Sequence, residues 1–551
     1  MKQNFLKGVG DTAPNAVLME IPRGISNMEI TQLILNEWRD SQPIRDMVAS
    51  EEYYQVRNTK IFGKKRKYTD EYGTEKVNTT LSNIKIPSAF LRNSVNQKIN
   101  YAFGKPFSIA VENIHMTAKE QEKDKLAETY LKEWQNWITT YVRKTLKRLG
   151  KNAVTSGIGW VYVWIDEAGM LQIIDVTPPS LYPQWADRAH LSLDAIIRDF
   201  QIQDFSSGSA ETVTKVEYWD ATTVERYIDE DGELVPDTEY NPELETGEQP
   251  EVEEIGRGHM TIERTGEDGS TSIEALSWGK VPFIAFKANE DELPLLNLIR
   301  EPVDAYDEIT SKTADALMDD IDPIIILKNY DPSIGSLTRA AQLLRSSRMM
   351  AVGEEGGADY LKVGTDITSA QSKLESLRKD IREFSSTVDT QDLKVGSNPS
   401  GVALKSMYQD LDIYTDGLEV EFEVFIDNLK YFFDRWLEFK SVGTVEQWSE
   451  YRVIVTLDRD MLINEKDILE NATKLVALGV SQETIDAYNP AIESHEIEEA
   501  RRATQREKEK KLREEEANAL FSFGNSQNPQ NGINTENNRG GNENGEGNDG
   551  E

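Results

Sequence analysis

Cysteine is absent from all 551 residues, which excludes disulfides, thiol catalysis and thiolate metal sites. Histidine is scarce. His115, His190, His259 and His495 lie far apart, and none is spaced for a metal pair. Without thiolates or paired imidazoles, only carboxylates remain as ligands. Asp319, Asp320 and Asp322, and Asp458 with Asp460, are the clusters a hard cation could use, but they read better as solvated helix ends and loops. No run of eighteen apolar residues offers a membrane span. The N-terminal MKQNFLKGVGD has no apolar signal region and predicts no Sec export. GxSxG, GxGxxG and GxxxxGK[ST] are all missing. Gly63-Lys64, Gly104-Lys105 and Gly279-Lys280 each lack the upstream glycine and the following Ser or Thr. These absences together predict a protein that is no enzyme and needs no cofactor or metal.

Basic charge is also in short supply. Lys and Arg number 61 against 97 Asp and Glu, for a net charge of −36. That argues against gripping nucleic acid over a broad basic face. It leaves open an acidic wall along which nucleic acid slides, because such a wall repels phosphate and has no deep binding minima. The one basic tetrad, Lys64–Lys67, is bracketed by Gly63 and Gly73 and reads as a solvated loop, with phosphate contact as the alternative.

At this length two to four domains are expected, and the order of elements predicts an α+β protein. Residues 1–26 read as extended. Helices are expected over Asn27–Arg39 (Ile30, Leu33, Ile34 and Trp38 inward), Arg45–Gln55, Ile86–Phe103 and Lys119–Leu149, the last with Leu131, Trp134, Trp137, Ile138, Tyr141, Val142 and Leu146 as its inward stripe. The period then changes to two. GWVYVWIDEAGMLQIIDV is a hairpin ended by Pro178, Pro179 and Pro183, and further strands follow at Thr212–Trp219, Thr222–Ile228, His259–Arg264, Ser270–Leu276 and Val281–Asn289. The acidic stretch Tyr240–Arg257 is an exposed insertion. Asp291–Asp320 returns to helix, with Pro302 at a tolerable first-turn position and Val303, Tyr306, Ile309, Thr313 and Leu317 on the inner face.

Residues 321–365 read as a small α/β domain: strands at Ile324–Leu327, Met349–Val352 and Tyr360–Val363 and a helix near Leu337–Arg345. It is bracketed by two helices, like a head on a two-rod stalk. The second rod has a seam at Leu374, Leu377, Ile381, Phe384 and Val388, the three-four spacing of helix-on-helix packing. A polar break, TQDLKVGSNPSGVALK, follows; Ser400 or Asn398 is placed to cap the next helix. That long helix repeats the seam at Leu404, Met407, Leu411, Tyr414, Leu418, Phe422, Phe425, Leu429, Phe432 and Trp436. Beyond it come a strand at Tyr451–Leu457 returning to the earlier sheet, a helix at Lys466–Leu478 stopped by Gly479, a short helix capped by Ser481, a charged helix over Glu493–Glu516 and a tail rich in Asn, Gly and Glu that reads as disordered.

Several of these stretches, in this order, resemble the portal proteins of tailed bacteriophages, in their long-tailed-phage branch. The residues are EYYQ at Glu52–Gln55, INYAFGKPFSI at Ile99–Ile109, GIGWVYVWIDEAG leading into IIDVTPPSLYPQW, VEYWDATTVERY, WGKVPFIAFKANE at Trp278–Glu290, NPSGVALK at Asn398–Lys405, and GVSQETID with NPAIESHEIEEARR. Ala288 and His495 depart from the expected Asn and Asp. The acidic insertion and the Asn/Gly tail are additions.

The resemblance implies a multi-domain portal subunit: a wing (residues 1–293, completed by 441–465), a two-helix stem (294–320 and 367–389), a clip (321–366), a tunnel loop (390–401), a tunnel helix (402–440), a crown (466–513) and a tail (514–551). It further implies a twelve-fold homo-oligomeric ring at one capsid vertex of the virion, assembled in the host cytoplasm. Double-stranded DNA would pass through it without sequence preference. Terminase large subunit, head-completion protein, and major capsid and scaffolding proteins would dock on it, and no membrane is involved. The DNA-facing loop would comprise Lys394, Val395, Gly396, Ser397, Asn398, Pro399, Ser400 and Gly401, with Lys405 on the following turn; Lys394 and Lys405 would make transient phosphate contacts. Lys405 reads equally well as an ordinary first-turn surface lysine. Stem packing would use Val303, Tyr306, Ile309, Leu317, Leu374, Leu377, Ile381, Phe384 and Val388. The competing readings are a coiled-coil structural or scaffold protein of a virion without a channel, which the seams fit but the β-rich first half does not, and a carboxylate-metal nuclease, for which no converging acids are marked.

Overall fold

The computed structural model describes residues 3–6, 18–21, 25–69, 72–78, 82–116, 124–205, 208–237, 257–265, 271–319, 324–328, 357–361, 367–389, 401–459, 470, 473–487 and 495–524. The chain divides into two compact units, Met1–Met461 and Leu462–Glu551.

The first unit opens with β1 (Gln3–Leu6), β2 (Leu18–Ile21), α1 (Asn27–Trp38), α2 (Gln42–Tyr54), α3 (Thr59–Gly63), β3 (Lys67–Thr69), β4 (Glu75–Val77), α4 (Phe90–Phe103), β5 (Ser108–Asn113), α5 (Lys125–Trp137) and α6 (Thr140–Ser156). A β-rich stretch follows: β6 (Ile158–Ile165), β7 (Leu171–Val176), β8 (Leu181–Trp185), β9 (Leu193–Asp204), β10 (Glu211–Trp219), β11 (Thr223–Glu230), β12 (Glu233–Pro236), β13 (Arg257–Gly258), β14 (Met260–Thr265), β15 (Thr271–Leu276) and β16 (Phe283–Lys287). Next come α7 (Leu295–Asp319), β17 (Ile324–Lys328), β18 (Gly357–Leu361), α8 (Ile367–Phe384), α9 (Gly401–Phe439), α10 (Val445–Trp448) and β19 (Tyr451–Thr456). The second unit contains α11 (Gln482–Ala487) and α12 (His495–Gly524). The fold is α+β, as expected.

A three-stranded antiparallel sheet, β16-β6-β7, is the partition around which the first unit is built. On β6, Ile158, Trp160 and Tyr162 face one core while Val161, Val163 and Ile165 face the other. On β16, Phe283 and Ala285 alternate in the same way with Ile284 and Phe286. The two-residue period of a strand sends successive side chains to opposite faces, so a strand buried on both faces must be apolar throughout. That accounts for the unbroken run GWVYVWI. One core lies between the partition, α1, α2 and the large antiparallel sheet β12-β11-β10-β9-β8-β1-β2. The other gathers α4, α5, α6, the start of α7, α9 and β19. Gly157, at φ 86, makes the turn into β6. A Cβ there would lie 2.0 Å from the Glu292 carbonyl oxygen, so only glycine lets the two chain segments touch.

Local expectations failed where long-range partners intervened. Lys119–Leu149 is not one helix over its described part. Asp124 caps α5, and Thr139 accepts from the Val142 N–H to start α6 afresh. The break changes the phase of the stripe and leaves Tyr141 exposed. On α1, Leu33 is exposed and Leu35 is buried in its place. Pro183 lies inside β8 and pairs with Ile196; β1 meets β8 only at Trp185. Among the described residues the proline thus has a strand neighbour on one side only, a position strand prolines tolerate. The long strand β9 has no counterpart in the sequence reading. β19 does return to the first half, but it pairs with β5 in a separate two-stranded sheet rather than joining the larger ones. Pro302 is well inside α7, not in its first turn. It removes the hydrogen bond to the Leu298 carbonyl, and Leu298 is exposed, so water can replace it.

Of the small domain, β17 and β18 are described and pair antiparallel; the expected helix near Leu337–Arg345 and strand Met349–Val352 lie outside the described residues. In the second unit, the Gly479 N–H and the Val480 N–H close the last turn of the helix before it, as the sequence predicts, with Gly479 at φ 72. Ser481 caps α11 through the Thr484 N–H. The charged helix α12 extends to Gly524, beyond Glu516. Arg502 holds the buried Asp486 through two hydrogen bonds of 2.9 and 2.8 Å.

Candidate functional site

α7 and α8 lie side by side. Ile381, near the end of α8, shares a core with Leu296, Ile299 and Val303 near the start of α7, while β17 and β18, at the opposite ends, pair with each other. The two helices therefore run in opposite directions, and the 25 residues of α7 span about 37 Å.

The expected seams fall into place only in part. Val303, Leu377 and Ile381 are buried, and Tyr306, Ile309 and Leu374 are half-buried, Tyr306 lying edge-on to Phe90 at 4.9 Å. Leu317 and Phe384, however, are 44% and 50% exposed. The most buried stripe on the outer part of α7 is polar: Asp304, Asp307, Ser311 and Asp315. Residues 82–88 run along this stripe. The Asp307 carboxylate accepts from the Ser88 N–H (2.9 Å), Ser311 Oγ from the Ile86 N–H (3.1 Å), and the Asp315 carboxylate from the Ile84 N–H (2.7 Å). The spacings match because two extended residues advance about 6.6 Å and four helical residues about 6.0 Å. Pro87, which has no N–H, falls on the alternate set that faces away from α7. This polar ladder replaces the outer half of the apolar face that Val303 to Leu317 was expected to form. Its sequence signal was a polar stripe at i, i+4, i+8, and no local rule says that a backbone will cover it.

Below the ladder, Asn58 Nδ2 donates to Asp307 (2.7 Å) and Asp304 (3.1 Å), the Tyr53 hydroxyl donates to Asp304 (2.6 Å), and Lys60 pairs with Asp304 at 2.9 Å. Burial raises the Asp307 carboxyl above the usual carboxylate range. Lys64, the first member of the basic tetrad, pairs with Glu308, and Lys67 with Glu75; the tetrad is thus used in part within the chain. Lys312 and Lys64 hold Glu308 down to about 2. At the joint between β16 and α7, buried Glu292 accepts from Lys287 (3.1 Å) and lies 2.7 Å from His190 Nδ1, whose ring stacks on Trp185 at 4.7 Å.

α8 ends at Phe384, so Val388 is not on the helix. The Ser386 N–H bonds the Glu383 carbonyl and the Thr387 N–H bonds the Arg382 carbonyl, with Ser386 at φ 50. This is a Schellman ending with serine in the left-handed position. Val388 is instead buried with Tyr101, Tyr408 and Leu411. Here α4 meets the chain on both sides of residues 390–400. Gln97 Oε1 accepts from the Val388 N–H (3.0 Å) and its Nε2 donates to the Val388 carbonyl (3.2 Å). One turn later Tyr101 stacks on Tyr408 at 5.7 Å and donates its hydroxyl to Asp412. Burial, followed by that carboxylate, raises the Tyr101 phenol above its ordinary value. Arg459 pairs with Asp412 (3.1 Å), Glu419 (3.4 Å) and Asp416. Between Gln97 and Tyr101 on α4, Lys98, 1% exposed, sets its Nζ 3.1 Å from the Tyr414 ring centroid, and burial lowers it to about 7.

Lys394, Val395, Gly396, Ser397, Asn398, Pro399 and Ser400 lie outside the described residues. Gly401 opens α9, and Lys405 is exposed on it. Farther along α9 the seam expected from the sequence is apolar and deep: Leu418, Phe422, Phe425, Leu429, Phe432 and Trp436 are each at most 2% exposed. Trp134 stacks on its Phe433 at 4.0 Å.

Among the described residues no group of three or more His, Asp or Glu is placed to hold a metal ion, and no helix is long and apolar enough to cross a membrane. Asp320, Asp322 and Asp460 lie outside the described residues. The chain is 24% identical over 494 residues to the portal protein of Bacillus phage SPP1, covering 88% of each chain. It is 23% identical over 432 residues to the portal protein of Clostridium phage phiCD119, covering 75% of this chain and 82% of that one. Residues 40–510 match the family described as phage portal protein, SPP1 Gp6-like. With an antiparallel helix pair, a pair of antiparallel strands at one end of it and a long helix leading back into the main core, the chain belongs to the SPP1 Gp6-like phage portal protein family.

Proposed function

We propose that the chain is the subunit of a twelve-fold ring at one capsid vertex, through which double-stranded DNA is packaged, retained and ejected, and that it performs no catalytic step. The family match over residues 40–510 carries this reading. In it, α7 and α8 are the stem. β17 and β18 belong to the clip, where the terminase large subunit docks during packaging and a head-completion protein afterwards. Residues 390–401 face the DNA, and the second unit is the crown. Contacts with major capsid and scaffolding proteins belong to the same reading.

The physics supports it. A single helix pair with Leu317 and Phe384 exposed is a poor core, whereas a closed ring of such pairs has no free edge and buries both flanks. A net charge of −36 keeps phosphate from settling on a channel wall, so Lys394 and Lys405 would make only brief contacts with the backbone of DNA.

Negative-stain images and sedimentation of the purified full chain provide the test. Rings with a central hole are expected; an extended dimer would point to the coiled-coil reading, and magnesium-dependent DNA cleavage would establish an enzyme. Deletion of residues 394–399 in the phage is expected to impair packaging or retention. Unchanged packaging and retention would remove the loop from the DNA path.

A further inference from the structure

Elsewhere in the chain, clustered basic residues meet acids. On α12, Arg501 and Arg502 pair with Glu498 and Lys511 with Glu507, and the basic tetrad is spent in part on Glu308 and Glu75. α6 departs from this pattern. Residues 134–165 contain no Asp or Glu, in a chain that has 97 of them, yet they hold Arg143, Lys144, Lys147, Arg148 and Lys151. These positions follow one another by one, three, one and three, so all five lie on one face of the helix, along about 12 Å of its axis. The other face, with Val142, Leu146, Leu149 and Ala153, is buried in the core and fixes the array in place. Arg148 pairs with Asp175, and Lys151 reaches Glu51 only at 3.8 Å. Among the described residues no acid pairs with Arg143, Lys144 or Lys147. Like charges at i and i+4 oppose a helix. α6 carries three such pairs, and an anion laid along this face would relieve them.

We propose that this face of α6 binds the phosphate backbone of double-stranded DNA, without sequence preference and separately from residues 390–401. A second copy of the chain fits it less well. Protein interfaces centre on apolar and aromatic side chains and are poor in lysine, and Tyr141 is the one large apolar side chain exposed on α6. Arginine and lysine in a row, held by a rigid core, suit a duplex, which offers one phosphate charge per about 1.7 Å of its axis. A narrow stripe of this kind binds locally, while the acidic remainder of the chain repels DNA and keeps the contact weak. The proposal rests on the reading that DNA is the partner of this chain.

The test mixes purified full-length protein with a relaxed, closed circular duplex, which has no end to thread through a ring. Wild-type protein is expected to retain the circles at about 50 mM salt. Arg143→Gln with Lys144→Gln and Lys147→Gln should weaken binding at least about tenfold and flatten the slope of log K against log salt by about 3 for each subunit in contact. Lys508→Gln with Lys510→Gln and Lys511→Gln, which removes as much charge from α12, should bind as the wild type does. Circles that the wild type does not retain, or that both variants release equally, overturn the proposal. An α6 variant that no longer assembles also overturns it, because the face would then belong to a second copy. The α6 variant should melt no lower than the wild type, since like-charged neighbours are removed; a lower melting temperature would make the cations structural and count against a binding role. Rings that form but retain no circles remove the α6 site and leave the ring standing. Circles retained through α6 by a chain that forms no rings do the reverse.

Discussion

α7 and α9 are the two longest helices of the first unit, and the sequence presents them alike, each with an inward stripe at helical spacing. The structure holds them by different means. α9 is gripped by side chains: Phe422 stacks with Phe425, both touch Phe286, and Phe433 stacks on Trp134. The outer half of α7 is gripped by backbone, through carboxylates and a hydroxyl that accept the N–H groups of Ile84, Ile86 and Ser88. Apolar packing is non-directional and tolerates small displacements. A ladder of buried hydrogen bonds fixes register and is costly when one member is lost. In a stem, which on the proposed reading must not slide while DNA passes, the second means suits the need.

Substitutions at four positions break or sharpen that contrast. The largest effect is expected on the apolar side. Phe425→Ala empties a fully buried site and should destabilise the first unit by about 4 kcal/mol, read by calorimetry of the full chain. Next, Asp307→Ala strands the Ser88 N–H and leaves the Asn58 amide with Asp304 as its one remaining acceptor of the two, with an expected loss of about 3 kcal/mol. Asp307→Asn, which keeps one acceptor oxygen, should lose less. A mild Asp307→Ala, within the range of surface changes, would mean that the ladder does not hold α7.

Lys98→Met tests the region where α4 meets α9, at an expected gain of about 2 kcal/mol near neutral pH. The sign follows from burial, which lowers the lysine to about 7 in the folded chain while the unfolded chain keeps the ordinary value near 10.4. As pH falls from about 10 to about 7 the unfolded state alone takes up the proton, so the wild-type chain loses stability over that window. The advantage of Met should therefore vanish above about pH 10; melting temperatures across pH 6–10.5 decide it. The smallest effect is at a helix end. Val56 ends α2 at φ 63, in a Schellman turn closed by the Arg57 N–H on the Glu52 carbonyl. Val56→Gly should raise stability by about 1 kcal/mol, and a loss instead would show that the valine side chain contributes more than its strain costs.

Local rules read α9, the β6–β7 hairpin and the start of α7 well, because each buries side chains whose spacing is written in neighbouring residues. They misread the end of α8. Val388 continues the three-four spacing of Leu374 to Phe384, yet the chain turns at Ser386 because Gln97, far away in sequence, receives Val388. The candidate site divides in the same way: the polar break at 390–401 is visible as composition, whereas the bonds from α4 to Val388 before it and to Asp412 after it are not.

By itself the sequence determined the helices, the hairpin and, through motifs kept in order, the portal family; all of these rest on contacts or spacings within a few turns. Tertiary structure alone decided that Asp307, Ser311 and Asp315 are a seam rather than a solvated face, that β19 joins β5, and that Gln97 receives Val388 while Tyr101 bonds Asp412 of α9. Each of those depends on a partner more than 200 residues away. No periodicity within a helix says whether the groups facing it will be water, side chain or backbone.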